Sequence, residues 1–169
     1  MPASARSWLL LAIGLLCYAR AAGAQQFVPT GRGTLRGLTG VEVVIEPLPT
    51  EVVHEGLSGD LLRTSIQRQL TDAHVTVYDS QQANSSPAQA YVYVHVNALS
   101  VDSGARHAIA VQLQLRQTLQ SLVTGSRIVD AMTWDAHNVL MTEGADSADL
   151  TAELRGYVDQ FIEDWAAVH

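Results

Sequence analysis

YVYVHVNAL, residues 91–99, alternates strictly: Val92, Val94, Val96 and Ala98 fall on one side of an extended chain, and Tyr91, Tyr93, His95 and Asn97 fall on the other. The pattern returns over Ile109–Leu115, where Ile109, Val111, Leu113 and Leu115 oppose Ala110, Gln112, Gln114 and Arg116. Strands that each bury one side belong to a sheet with one covered and one open face. The segment Ser100–Arg106, with Gly104, is short enough to join them as an antiparallel hairpin. A further strand is predicted after Gly125, from about Arg127 to Met141.

Toward the amino terminus, VEVVIEPL (Val41–Leu48) reads as a strand that stops at Pro47 and Pro49, where the backbone loses its donors. Ser58 is placed to cap a helix over Gly59–Ala73, in which Leu61, Leu62, Ile66 and Leu70 recur at spacings of three and four. His74 stands where a glycine commonly ends a helix, and VTVY (Val75–Tyr78) reads as a short strand. The polar, proline-containing stretch Asp79–Ala90 reads as a mobile loop, and its Asn84-Ser85-Ser86 sequon as accidental. Toward the carboxyl terminus, Leu150, Leu154, Tyr157, Val158, Phe161, Ile162, Trp165 and Val168 trace one apolar stripe, with Asp146 and Asp149 at its first turn. The order β-α-β-β-β-β-α specifies the α+β class: a mainly antiparallel sheet with two helices packed on one face, and the first two strands parallel through a right-handed crossover.

The first residues set an address. Arg6, the apolar run Trp8–Cys17 and the small residues Ala22, Gly23 and Ala24 have the order of a cleavable signal peptide over residues 1–24. Arg20 interrupts the run well short of the ~20 residues a membrane span needs, so no stable membrane insertion is expected after cleavage near Ala24. Leu16 before Cys17 lacks the small side chain expected ahead of a lipidated cysteine. Residues 25–40, rich in glycine, read as a flexible leader, and residues 41–169 as a single domain. Ten basic against seventeen acidic residues give a formal charge of −7, and loss of Arg6 and Arg20 takes it to −9. Such a surface repels nucleic acid and excludes it as a partner. Without Cys17 the chain has no cysteine, so neither disulfides nor thiolate metal sites support it.

Chemistry-bearing patterns are sparse. Asp135 and His137, two apart on one strand, share a face on which the carboxylate would orient the imidazole, the one local pair suited to a small hydrolase or metal-dependent enzyme. No nucleophile elbow accompanies them. His95 and His137 would meet as metal ligands only if their faces coincide, and no HExxH spacing occurs. Gly31 and Gly33 flank Arg32 without the lysine or preceding strand of a phosphate loop. The outward set Tyr91, Tyr93, His95 and Asn97, beside Gln112, Gln114 and Arg116, forms an uncharged patch bearing aromatic rings and one arginine, the composition of a recognition surface.

GLSGDLLRTSIQRQLTDAHVTVYDS (residues 56–80), AYVYVHVNALSV (90–101), AIAVQLQLRQ (108–117) and a final amphipathic helix together resemble a group of exported bacterial proteins without an assigned activity. Here His74 replaces that pattern's glycine, and Arg106 with His107 replace its aromatic pair. The resemblance implies a fold and an exported location, and no catalytic residue. More loosely, the order of elements is similar to cell-envelope accessory domains, such as the lipopolysaccharide-assembly outer-membrane lipoprotein and the amino-terminal domain of TolB. The sequence thus predicts a periplasmic or secreted, non-enzymatic accessory or binding protein. It would carry no cofactor or metal and contact an envelope protein partner through the open sheet face or a strand edge. The hydrolase or metalloenzyme using Asp135 and His137 is the alternative.

Overall fold

The computed structural model describes residues 31–101, 106–142 and 147–169. The signal peptide with Cys17, leader residues 25–30, Gly104 of the hairpin turn and Asp146 lie outside the described residues. In chain order the elements are β1 (Glu42–Ile45), α1 (Thr50–His54), α2 (Gly59–Asp72), α3 (Ser80–Ser85), β2 (Tyr91–Val101), β3 (Arg106–Gln120), β4 (Arg127–Thr142) and α4 (Ser147–Ala166). The four strands form one sheet in sequence order, with β1 parallel to β2 and the remaining pairs antiparallel. The fold is α+β, as the alternation at residues 91–99 predicts.

The parity of the strands decides which side is covered. Val92, Val94 and Val96 of β2, Ile109 to Leu115 at alternate positions of β3, and Trp134 and Ala136 of β4 face a single core. Over them pack Leu62, Ile66 and Leu70 of α2 and the stripe of α4, where the Phe161 ring meets Trp134 edge-on at 5.3 Å between centroids. The Ser58 hydroxyl accepts from the Leu61 amide to start α2. Its end is built as the sequence suggests: His74 takes φ of 63°, while the amides of His74 and Val75 donate to the carbonyls of Thr71 and Leu70. This closing motif ordinarily uses glycine, and a histidine there costs on the order of 1 kcal/mol of backbone strain.

Three expectations change. Val75–Tyr78 is not a strand of the sheet but a single parallel bridge, Val41 with Val77. Val41 donates to the Thr76 carbonyl and accepts from the Tyr78 amide, and no more pairing follows. The reason lies on both sides: Val75 is consumed in ending α2, and Asp79 starts the next helix. The first half of residues 79–90 is no open loop but α3, whose capping box joins the Gln82 amide to the Asp79 carboxylate at 2.8 Å and the Asp79 amide to the Gln82 side chain at 3.0 Å. The D-x-x-Q spacing is the legible signal, overridden by the neighbouring proline and serines.

The third change concerns the glycine-rich leader, which from Gly31 onward is packed structure. Arg32–Leu35 make one turn of 3-10 helix, and Leu35 and Leu38 are buried in the core. Gly31 lies so close to β4 that a β-carbon would stand 2.7 Å from the Trp134 α-carbon, and one on Gly40 would stand 2.7 Å from the Tyr78 ring. These glycines allow close approach of backbone to neighbour, a role that looks like flexibility in sequence. Arg32 pairs with the buried Asp164 of α4, which also accepts from the Trp134 indole at 2.9 Å. Gln117, the other buried polar side chain among the described residues, donates to the Thr34 carbonyl and the Thr133 hydroxyl. At the end of the chain, His169 stacks on Trp165 and bonds the Leu38 carbonyl at 2.9 Å.

Candidate functional site

The seven residues singled out in sequence share the open face. Tyr91 stands opposite Arg116, Tyr93 opposite Gln114 and His95 opposite Gln112, with Asn97 one step further toward the exposed end. On the far side, Gln114 faces Asp135 and Gln112 faces His137, so the candidate catalytic pair lies on the same face. On the near side, Glu42 pairs in register with Tyr91 and Val44 with Tyr93.

The patch is organised by hydrogen bonds rather than left wet. Arg116 donates to Gln114 at 3.2 Å, and Gln114 donates to Gln112 at 3.1 Å, a chain of side chains along β3. The guanidinium also lies over the Tyr93 ring, 5.5 Å from its centre, and Tyr93 in turn meets Tyr91 edge-on and stacks with His95. His95 is held by Glu46 at Nδ1 and by Asn97, 2.6 Å from Nε2. Arg116 donates to Asp130 at 2.8 Å, and the Tyr91 hydroxyl donates to the other oxygen of that carboxylate.

The expectation of an uncharged patch is therefore corrected, because Glu46 and Asp130 are built into it. Glu46 was within reach of sequence reasoning, since Glu42, Val44 and Glu46 have the same parity in VEVVIEPL. Asp130 was not, because it reaches the face through a bulge in β4. Register shifts flank Arg116 and Thr118, and Asp130 takes φ of 57°, a left-handed conformation that Asp tolerates better than most side chains. An aspartate interrupting the apolar run Ile128–Met132 is the trace of this in sequence.

The network shifts proton affinities as its geometry requires. Hydrogen bonds from Tyr93 and His95 hold the Glu46 carboxyl below its ordinary range. The same bond to Glu46 pushes Tyr93 up to about 12, and burial with the Asp130 contact raises Tyr91. A folded value above the unfolded value of about 10 means that Tyr93 contributes its full stabilisation below pH ~10 and loses it as pH rises toward the folded value. In a tyrosinate absorbance titration, Glu46→Gln is therefore expected to bring the Tyr93 transition back toward 10. A transition at the same pH in both proteins would show that Glu46 does not govern it.

Asp135 and His137 do pair, Oδ2 to Nδ1 at 2.8 Å, with both side chains largely in solvent. His95 and His137 share a face but stand on either side of Gln112, and both ring nitrogens of His95 are already engaged. Among the described residues no group of three His, Cys, Asp or Glu is arranged to hold a metal. Beside the patch, α3 sits on the open-face side of β1: Ser80 donates to Glu42, and Ala83 is buried outside the main core. Among the described residues no helix is long and apolar enough to cross a membrane.

Comparison of the chain with protein-family models, curated proteins and solved structures finds no significant match.

Proposed function

We propose that this chain, once exported, is a non-enzymatic accessory or binding protein of the bacterial cell envelope. It takes up an extended segment of a partner protein along β4 and the adjoining open face. The observation that carries this reading is the state of the outer edge of β4. The strand is sixteen residues long, among the described residues pairs only with β3, is covered by the Gly31–Thr34 turn at Thr133 and Trp134, and exposes Val129, Met132, Val139 and Met141, each between 52% and 64% accessible. Exposed edges of this length and apolarity are usually blunted by lysine or proline, because their free backbone groups recruit other chains. β4 contains neither residue. A strand added beyond the stretch covered at Thr133 would pair with the edge at Val139–Met141, where alternate apolar side chains of the partner would meet Val139 and Met141. The ordered Tyr93, Arg116 and Gln114 side chains beside it supply a polar rim that needs little reorganisation on binding.

A photo-crosslinking residue at Met132, also exposed on β4, is expected to capture one defined partner in cells, and the same residue at exposed Leu61 on α2 is expected not to. Val139→Lys with Met141→Lys should cut that capture roughly tenfold, since both side chains lose apolar contact, while the thermal midpoint stays put. Tyr93→Ala with Arg116→Ala tests the face in the same way. Undiminished capture by both double variants would remove the reading. The Asp135–His137 pair is the one observation favouring a hydrolase; it predicts that His137→Ala abolishes an esterase activity in the purified protein.

A further inference from the structure

We propose that the groove between α3 and the β3–β4 hairpin binds a short, uncharged oligosaccharide; it adjoins the partner surface at Tyr93 and Val129 but lies apart from its Val139–Met141 end. The first observation is where backbone strain is stored. Three described non-glycine residues have left-handed φ: His74, accounted for by the end of α2, and Gln89 at 45° and Asp130 at 57°. Both of the latter line this groove. Strain on non-glycine residues is retained where the surroundings enforce it, and it gathers at ligand clamps.

The surroundings do enforce it. The Gln89 side chain accepts from Thr118 at 3.1 Å and from Arg127 at 2.7 Å, and donates to the Asn84 carbonyl at 3.2 Å. One amide thus ties the end of α3 to β3 and β4 and fixes the floor of the groove. Asp130 is clamped by Tyr91 and Arg116 in the same manner.

Shape is the second observation. The groove has two compartments, of about 580 and 350 Å³, joined through shared walls at Asn84, Gln89 and Thr118. These volumes lie within the range of small-ligand sites. The third is chemistry. Larger-compartment walls add Ser86, Gln120 and Arg127, and the smaller one adds Tyr91 and Tyr93. Its charges come close to cancelling: Asp130 is ion-paired with Arg116, and Glu42 and Arg127, held in place by Ser80 and Gln89, are opposite in sign. Side-chain amides and hydroxyls, which both donate and accept, match the hydroxyls of a sugar, and a tyrosine ring offers an apolar surface to its C–H face. An anion would in addition meet a strongly acidic protein.

The test is an NMR titration of the chain beginning at Gln25 with maltotriose, cellotriose and tri-N-acetylchitotriose, each to millimolar concentration. At least one is expected to shift the amides of Gln89, Thr118 and Tyr91. Gln89→Gly removes the amide side chain yet suits the left-handed backbone. Relief of backbone strain offsets part of the three lost hydrogen bonds, so the thermal midpoint should fall only modestly while the sugar is weakened roughly tenfold, the scale of one or two lost hydrogen bonds. Val139→Lys with Met141→Lys should leave sugar binding unchanged, so failure here and failure of the partner surface are separable. No shift with any of the three sugars, shifts confined to residues away from the groove, or full affinity in Gln89→Gly would overturn the proposal.

Discussion

A chain beginning at Val41 is expected to lose cooperative folding at room temperature, whereas one beginning at Gln25 keeps it. The shorter chain lacks Leu35, which is fully buried, and Leu38, which nearly is; each contributes about 2 kcal/mol by apolar burial. It also strips Asp164 of Arg32, the Gln117 amide of the Thr34 carbonyl and His169 of the Leu38 carbonyl. Asp164 and Gln117 are buried and each loses one of two partners, at about 1–3 kcal/mol apiece, while His169 is exposed and adds little; with the apolar loss the sum reaches the stability of a marginal domain, whose range is about 5–15 kcal/mol. Urea unfolding followed by circular dichroism decides it. Equal midpoints for the two chains would mean that residues 31–40 are a tether after all.

Asp164→Ala is expected to cost about 3 kcal/mol in the full-length fold. Asp164 is 2% accessible and satisfies two donors from distant segments, the Arg32 guanidinium and the Trp134 indole. Removing it leaves the indole N–H buried without an acceptor and frees the 3-10 turn from α4. Arg32→Met alone should be damaging for the converse reason, since it strands a buried carboxylate. The double variant Arg32→Met with Asp164→Leu is expected to lose less than either single change, because neither charge remains to be desolvated. Additive losses would show that the pair is not energetically coupled.

Both expectations rest on residues whose role was invisible in sequence. Gly31 and Gly40 carry the composition of a linker, and only the neighbouring Trp134 and Tyr78 reveal that their missing side chains are what allow close packing. Asp164 sits at a helix position where an exposed acid would be equally ordinary. The candidate site divides in the same way. Tyr91 through Arg116 are placed on one face by strict period-two alternation, and nothing distant is required to read it. Asp130 and Gln89 reach the groove through left-handed backbone at a bulge and a loop, which no local periodicity records. The helix Ser80–Ser85 is an intermediate case: its capping box is written in Asp79 and Gln82, but six residues do not hold a helix alone, and its packing beside Glu42 completes it.

What the sequence determined by itself is whatever depends on short-range repetition: the one-sided strands, the amphipathic final helix, the capped start of α2, the histidine at its end and the α+β class. Those features follow from which side chains must leave water, and that requirement is met by neighbours two, three or four residues away. Tertiary structure alone decided the embedding of residues 31–40, the reduction of Val75–Tyr78 to one bridge, the buried Asp164 and the charged frame of the open face. Each of these depends on groups far apart in the chain, such as Arg32 and Asp164, whose interaction becomes favourable only after the rest of the fold has excluded water around them.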